Sequence, residues 1–210
     1  MSELTLSGAK RGLIAILRGV KPDEVVDIGY ALVEAGIEII EVPLNSPQPF
    51  ESISRLIKTL PSNILIGAGT VLNPHDVDRL ADCGGGIVVS PNVDKAVIEQ
   101  TRSRGMLSLP GVLTATEAFT AIAAGASGLK FFPASVIGAS GINALRAVLP
   151  SDIPLGAVGG IEAGQFIDYH QAGIHFFGLG SNLYKAGDNA RMVSQRAINL
   201  VHAWDAIKNQ

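Results

Sequence analysis

Short, almost uninterrupted apolar runs recur along the chain at 13–18, 38–44, 64–71, 86–91, 106–112, 128–134, 154–161 and 175–181. Runs of this length that do not alternate with polar residues predict strands buried on both faces, as in a parallel sheet. The stretches between them have helical spacing and recognisable starts. Pro22, the pair Asn73-Pro74 and Asn92 before Val93 open helices, and Thr114 with Glu117 has the spacing of a capping box. Several of these stretches close on a glycine, at Gly36, Gly105, Gly125 and Gly173. Eight strand–helix units at regular spacing, with no linker between them, predict one α/β domain over 1–210, a closed (β/α)8 TIM barrel rather than an open sheet. The segment 189–208 reads as a terminal helix with Val193, Ala197, Leu200, Val201, Trp204 and Ile207 on one packing stripe.

Composition narrows the function classes. Of 210 residues, 47% are hydrophobic and 17% charged, and the net charge is -3, enough apolar material for a full core. No basic cluster with interleaved aromatics is present, so no nucleic-acid partner is expected. No apolar run reaches the roughly 20 residues of a membrane span, and the first residues do not resemble a signal sequence, so a cytoplasmic protein is expected. The single Cys83 allows no internal disulfide and reads as packing. His75, His170 and His202 fall in helical stretches and His175 starts the eighth strand, so no metal site is expected.

In a barrel of this kind, the active site gathers at the C-terminal ends of the strands. The polar residues placed there are Arg18, Glu41, Asn45, Thr70, Ser90 and Lys130. Lys130 interrupts the apolar Leu129-Lys130-Phe131-Phe132-Pro133 and Glu41 interrupts Ile40-Glu41-Val42. Buried charges need a partner or a function. Burial lowers an amine's pKa, and the neutral amine is the nucleophile that forms a Schiff base with a ketone; the alternative is a lysine simply paired with a carboxylate. The second and sixth strands face each other across an eight-stranded barrel, so this amine and this carboxyl can meet at its centre. Glycine-rich turns follow the seventh and eighth strands, at Gly159-Gly160 and at Gly180-Ser181, each placed before a helix, where barrels bind phosphate through backbone N–H groups. Arg18 can add a fork of donors to a phosphate or carboxylate, and Thr70 can hold a carboxylate or a sugar hydroxyl.

The runs Ile14-Ala15-Ile16-Leu17-Arg18, Glu41-Val42-Pro43-Leu44-Asn45-Ser46-Pro47, Gly67-Ala68-Gly69-Thr70-Val71, Ser90-Pro91-Asn92, Leu129-Lys130-Phe131-Phe132-Pro133 and Val158-Gly159-Gly160-Ile161 together resemble the KDPG/KHG aldolase family over nearly the whole chain. The resemblance implies a Schiff-base aldolase acting on a phosphorylated 2-keto acid without an external cofactor. It implies Lys130 as the imine-forming lysine and Glu41 as the general acid/base. It further implies Arg18, Thr70, Asn45, Pro91, Phe132 and Val158 as substrate contacts, Gly159, Gly160, Gly180 and Ser181 at the phosphate, and a homotrimer. Asn45 and Val158 stand where the gluconate branch of the family has arginine and threonine, which resembles the branch taking the C4 epimer, the galactonate. Two other readings remain open: a metal-free isomerase of a phosphorylated sugar, and a non-catalytic phosphosugar-binding barrel.

Overall fold

The computed structural model describes residues 8–208. It runs β1 (Leu13–Ile16), α1 (Val25–Ala35), β2 (Ile39–Pro43), α2 (Pro49–Thr59), β3 (Leu65–Gly69), α3 (Pro74–Asp82), β4 (Ile87–Val89) and α4 (Lys95–Ser103). It continues with β5 (Leu107–Leu109), β6 (Gly111–Val112), α5 (Ala115–Ala123), β7 (Leu129–Phe131), α6 (Ala134–Arg146) and β8 (Leu155–Val158). A 3-10 turn (Ala163–Gln165) leads into α7 (Phe166–Gln171), and β9 (Phe176–Leu179) and α8 (Ala190–Lys208) end the chain. All pairings are parallel, in the order β5-β4-β3-β2-β1-β9-β8-β7-β6.

The eight expected runs appear as nine strands because Pro110 splits the fifth. A proline has no N–H to give the ladder. β5 pairs with β4 and β6 pairs with β7, while the Pro110 carbonyl accepts from Lys130 N–H at 3.0 Å. The broken strand therefore closes the ring, and the fold is the expected TIM barrel. Two other expectations shift. The fourth helix begins at Lys95 behind Asp94, whose carboxylate accepts from Ala96 and Val97 N–H, rather than at Asn92. Pro22 opens a turn, and α1 starts only at Val25. Asn73 and Thr114 cap α3 and α5 as their spacing predicts, and Gly36, Gly105, Gly125 and Gly173 all take positive φ.

Side chains alternate across each strand. One set, including Leu13, Ala15, Ile40, Val42 and Phe177, packs outward against the helices; the other, including Ile14, Ile39, Ile87, Leu107, Leu109 and Phe176, fills the barrel interior. Two residues beyond the apolar interior position Ile39, the inward set continues with Glu41, so the filled core forms the base on which the charged layer stands. Among the described residues no helix is long and apolar enough to cross a membrane.

Candidate active site

Glu41 lies on β2 and Lys130 on β7, four strands apart around the ring in either direction once β5 and β6 count as one broken strand. Both are buried, at 3% and 5% relative exposure, in a layer made roomy by glycine: Lys130 is in register with Gly111 and Gly156, and Glu41 with Gly67. Gly69 matters more. A Cβ there would fall 1.9 Å from Glu41 Oε2, so the carboxyl occupies the place a side chain on β3 would take.

The expected alternative, a salt bridge between the two, is not formed: no N···O distance between Glu41 and Lys130 falls within 4.0 Å among the ion pairs of the described residues. Glu41 Oε2 is buried with no hydrogen-bond partner in the protein, and Lys130 Nζ stands 4.7 Å from the centroid of the Phe132 ring. Burial pushes the Glu41 carboxyl up to about 7, against the opposing pull of the Lys130 and Arg18 charges. Burial likewise brings the Lys130 amine down to about 8; Arg18 acts in the same direction and Glu41 opposes it. Both groups are moved toward neutrality, the form in which an amine attacks and a carboxyl donates.

The loops at this end are tied together. Arg18 donates to Asn45 Oδ1 at 3.1 Å, and Ser46 Oγ accepts from Gly19 N–H at 2.9 Å, which fastens the loop after β2 to the loop after β1. Ser90 is buried and donates to the Val71 carbonyl at 2.8 Å, securing the turn after β3. That turn holds Thr70 at φ 55, an unusual conformation for a β-branched residue and of the kind that concentrates at functional sites. Asn45 and Ser90 thus have structural contacts of their own.

A cavity of about 370 Å³ opens at the ends of β1, β8 and β9. Of the residues expected in the site, Arg18, Phe132, Val158, Gly159, Gly160, Gly180 and Ser181 line it; Lys130, Glu41, Thr70, Asn45 and Pro91 do not. Phe132 joins the two groups, with its ring on the cavity wall and near Lys130 Nζ. Gly159 and Gly160 take φ of 95 and 72, which exposes the turn backbone to the cavity. The turn at Gly180-Ser181 is not followed by the expected short helix: Leu183 and Tyr184 N–H both close on the Gly180 carbonyl at 2.9 Å, and the chain then turns away until α8. Sequence reasoning stopped at Ser181 and missed Asn182, Tyr184 and Lys185 on the same wall, as well as Ile16, Ile161 and Glu162. Tyr184 offered a signal, an aromatic just beyond a glycine turn at a barrel strand end. Among the described residues no group of three His, Cys, Asp or Glu side chains could hold a metal ion.

Fold and site define a class, the (β/α)8 barrels with an amine and a carboxyl buried across the barrel from one another beside a glycine-walled cavity. Comparison with known proteins makes the class specific. A family model for KDPG and KHG aldolase matches residues 7–196, and the chain belongs to that family. A probable 2-dehydro-3-deoxy-6-phosphogalactonate aldolase of Rhizobium meliloti is 56% identical over 99% of this chain and 98% of its own. The 2-dehydro-3-deoxy-6-phosphogalactonate aldolase of Escherichia coli is 47% identical over 93% and 95%. A solved structure described as native KDPGal superposes with a TM-score of 0.94 at 45% identity, covering 96% of this chain and 98% of that one.

Proposed function

We propose that the protein is an aldehyde-lyase that cleaves 2-dehydro-3-deoxy-6-phosphogalactonate to pyruvate and D-glyceraldehyde 3-phosphate. The observation that carries the chemistry is the unpaired, buried Lys130, brought to about 8 across the barrel from Glu41. The substrate follows from the similarity to galactonate-branch aldolases at 56% and 47% identity.

The neutral Lys130 amine attacks the C2 ketone, and water leaves with a proton supplied through Glu41, giving a protonated imine. The imine withdraws electrons from C3. Glu41, left as the carboxylate, takes the C4 hydroxyl proton directly or through a water; the C3–C4 bond breaks, the C4 oxygen becomes the aldehyde of glyceraldehyde 3-phosphate, and the bond's electron pair forms the enamine. Protonation at C3 and hydrolysis release pyruvate and restore the amine. The protonated imine formed on Lys130 is the electron sink, so these steps draw on no further cofactor. Arg18 and Thr70 are assigned to the keto acid, Asn45 to holding Arg18, Pro91 and Phe132 to walling the amine, and Gly159, Gly160, Gly180 and Ser181 to the phosphoryl group. Val158 is assigned to the choice between C4 epimers. A cytoplasmic homotrimer completes the proposal, with exposed apolar residues such as Leu72, Leu113 and Phe119 available for contact between copies.

Incubation with pyruvate and borohydride followed by peptide mass mapping tests the reading. The reduced pyruvate skeleton is expected at Lys130, and an unmodified Lys130 refutes it.

A further inference from the structure

Two cationic side chains line the cavity, Arg18 and Lys185, and they are not equivalent. Arg18 is held by Asn45, and its charge bears on both Glu41 and Lys130, which places it at the reacting end. The Lys185 charge figures in neither of those groups; it stands on the wall with Gly160, Gly180 and Ser181 and its side chain is exposed. A phosphate monoester carries roughly -1.5 to -2 charge near neutral pH, more than a backbone turn alone neutralises. One carboxylate, Glu162, shares the wall; its backbone N–H donates to Gln165 Oε1 at 2.9 Å, and its charge makes a second cation there the more needed for an anionic ligand.

The segment carrying Lys185 is fastened at several points. The buried Tyr184 donates through its hydroxyl to Glu24 at 3.0 Å, and Asn182 Nδ2 donates to the Ile161 carbonyl at 3.0 Å, joining this loop to those after β1 and β8. Lys185 N–H donates to Asp188 at 2.8 Å, and Arg196 holds both Asp188 and the Leu183 carbonyl. The lysine backbone is thereby set at the cavity wall, while its exposed ammonium makes no ion pair within 4.0 Å among the described residues, its charge bearing only at longer range on Asp188.

We propose that Lys185 is a specificity-determining residue, the cation that receives the substrate's phosphoryl group and sets the preference for phosphorylated over unphosphorylated ligands. The assignment rests on the phosphate reading of the cavity given above. The test runs the reaction toward condensation, with pyruvate and either D-glyceraldehyde 3-phosphate or D-glyceraldehyde, in wild type, Lys185→Met and Lys185→Arg. Lys185→Met is expected to raise KM for the phosphorylated aldehyde about tenfold, as for one lost charge-assisted hydrogen bond at an exposed site. Competitive inhibition by inorganic phosphate weakens in parallel, Lys185→Arg restores most of both, and kcat/KM for D-glyceraldehyde stays unchanged. An equal effect on both aldehydes, or none, overturns the assignment while leaving the phosphate reading intact. A wild type indifferent to the phosphate overturns both, with borohydride labelling of Lys130 still reporting on the imine chemistry separately.

Discussion

Glu41 and Lys130 supply each other's electrostatic surroundings, and that makes their coupling measurable. Glu41→Gln removes proton transfer, and turnover is expected to fall by about 10²–10⁴-fold. It also removes the negative charge that raises the Lys130 pKa, so the amine becomes neutral at lower pH. Borohydride trapping of the pyruvate imine against pH should therefore rise with a midpoint near 8 in the wild type and lower in the variant. A midpoint that stays or moves up contradicts the coupling. Val158 is buried at 7% exposure on the cavity wall, and threonine nearly matches it in shape. Val158→Thr is expected to shift the ratio of kcat/KM for the two C4 epimers toward the gluconate by about 1–3 kcal/mol, the range for one decisive hydrogen bond. An unchanged ratio removes Val158 from epimer choice. The two buried charges could be read from the chain because each interrupts an apolar run. Gly69 could not be read for what it does, since its service to Glu41 depends on which side chain the neighbouring strand aims at the same space. Lys185 in isolation is only a surface lysine.

Among the elements, strand positions followed from apolar runs and capped helix starts from side chains that bond their own backbone. Where reading failed, tertiary contacts decided. Pro110 splits one run because the ladder passes from one neighbour to the next at that residue, and the turn after β9 does not extend into a helix because the next N–H, that of Lys185, goes to the Asp188 carboxylate rather than back to Ser181. The two turns proposed to hold the phosphoryl group also separate once seen in space. Gly160 has φ +72 and an added Cβ would lie 2.6 Å from Ser135 Oγ, whereas a Cβ on Gly180 meets nothing within 4 Å. Gly160→Ala is expected to destabilise the fold by about 1 kcal/mol or more through backbone strain. Gly180→Ala should keep the wild-type Tm and raise KM for the phosphorylated substrate alone. Thermal melts beside steady-state assays check the pair, and a Gly180→Ala protein with unchanged KM places the phosphoryl group elsewhere.

On the scale of the molecule, stability and chemistry occupy opposite ends of the barrel. The apolar repeat made the barrel readable, but nothing in it showed that the last helix fastens the seam between the first and last strands. Trp204 of α8 meets Phe177 of β9 edge-on at 5.9 Å, and Phe177 in turn stacks on Phe166 at 4.3 Å. A Cβ on Gly12, just before β1, would come within 2.8 Å of the Trp204 ring, so the indole sits directly on the seam. The fork from Arg11 to Asp205, at 2.7 and 2.8 Å, is partly exposed and adds at most about 1 kcal/mol. The indole carries most of the fastening. Trp204→Ala removes a nearly buried ring, and such truncations cost about 3–5 kcal/mol. For a chain of this size that is a fall in Tm of about 6–20 °C. The residues of the site stand at the other ends of the same strands, where barrels keep their chemistry. Calorimetry should therefore show one cooperative transition at the lower temperature, with kcat at 25 °C close to wild type. Two transitions would contradict a single domain, and a kcat that falls well below the new Tm would show that the seam also holds Arg18 and the Gly180 turn in register.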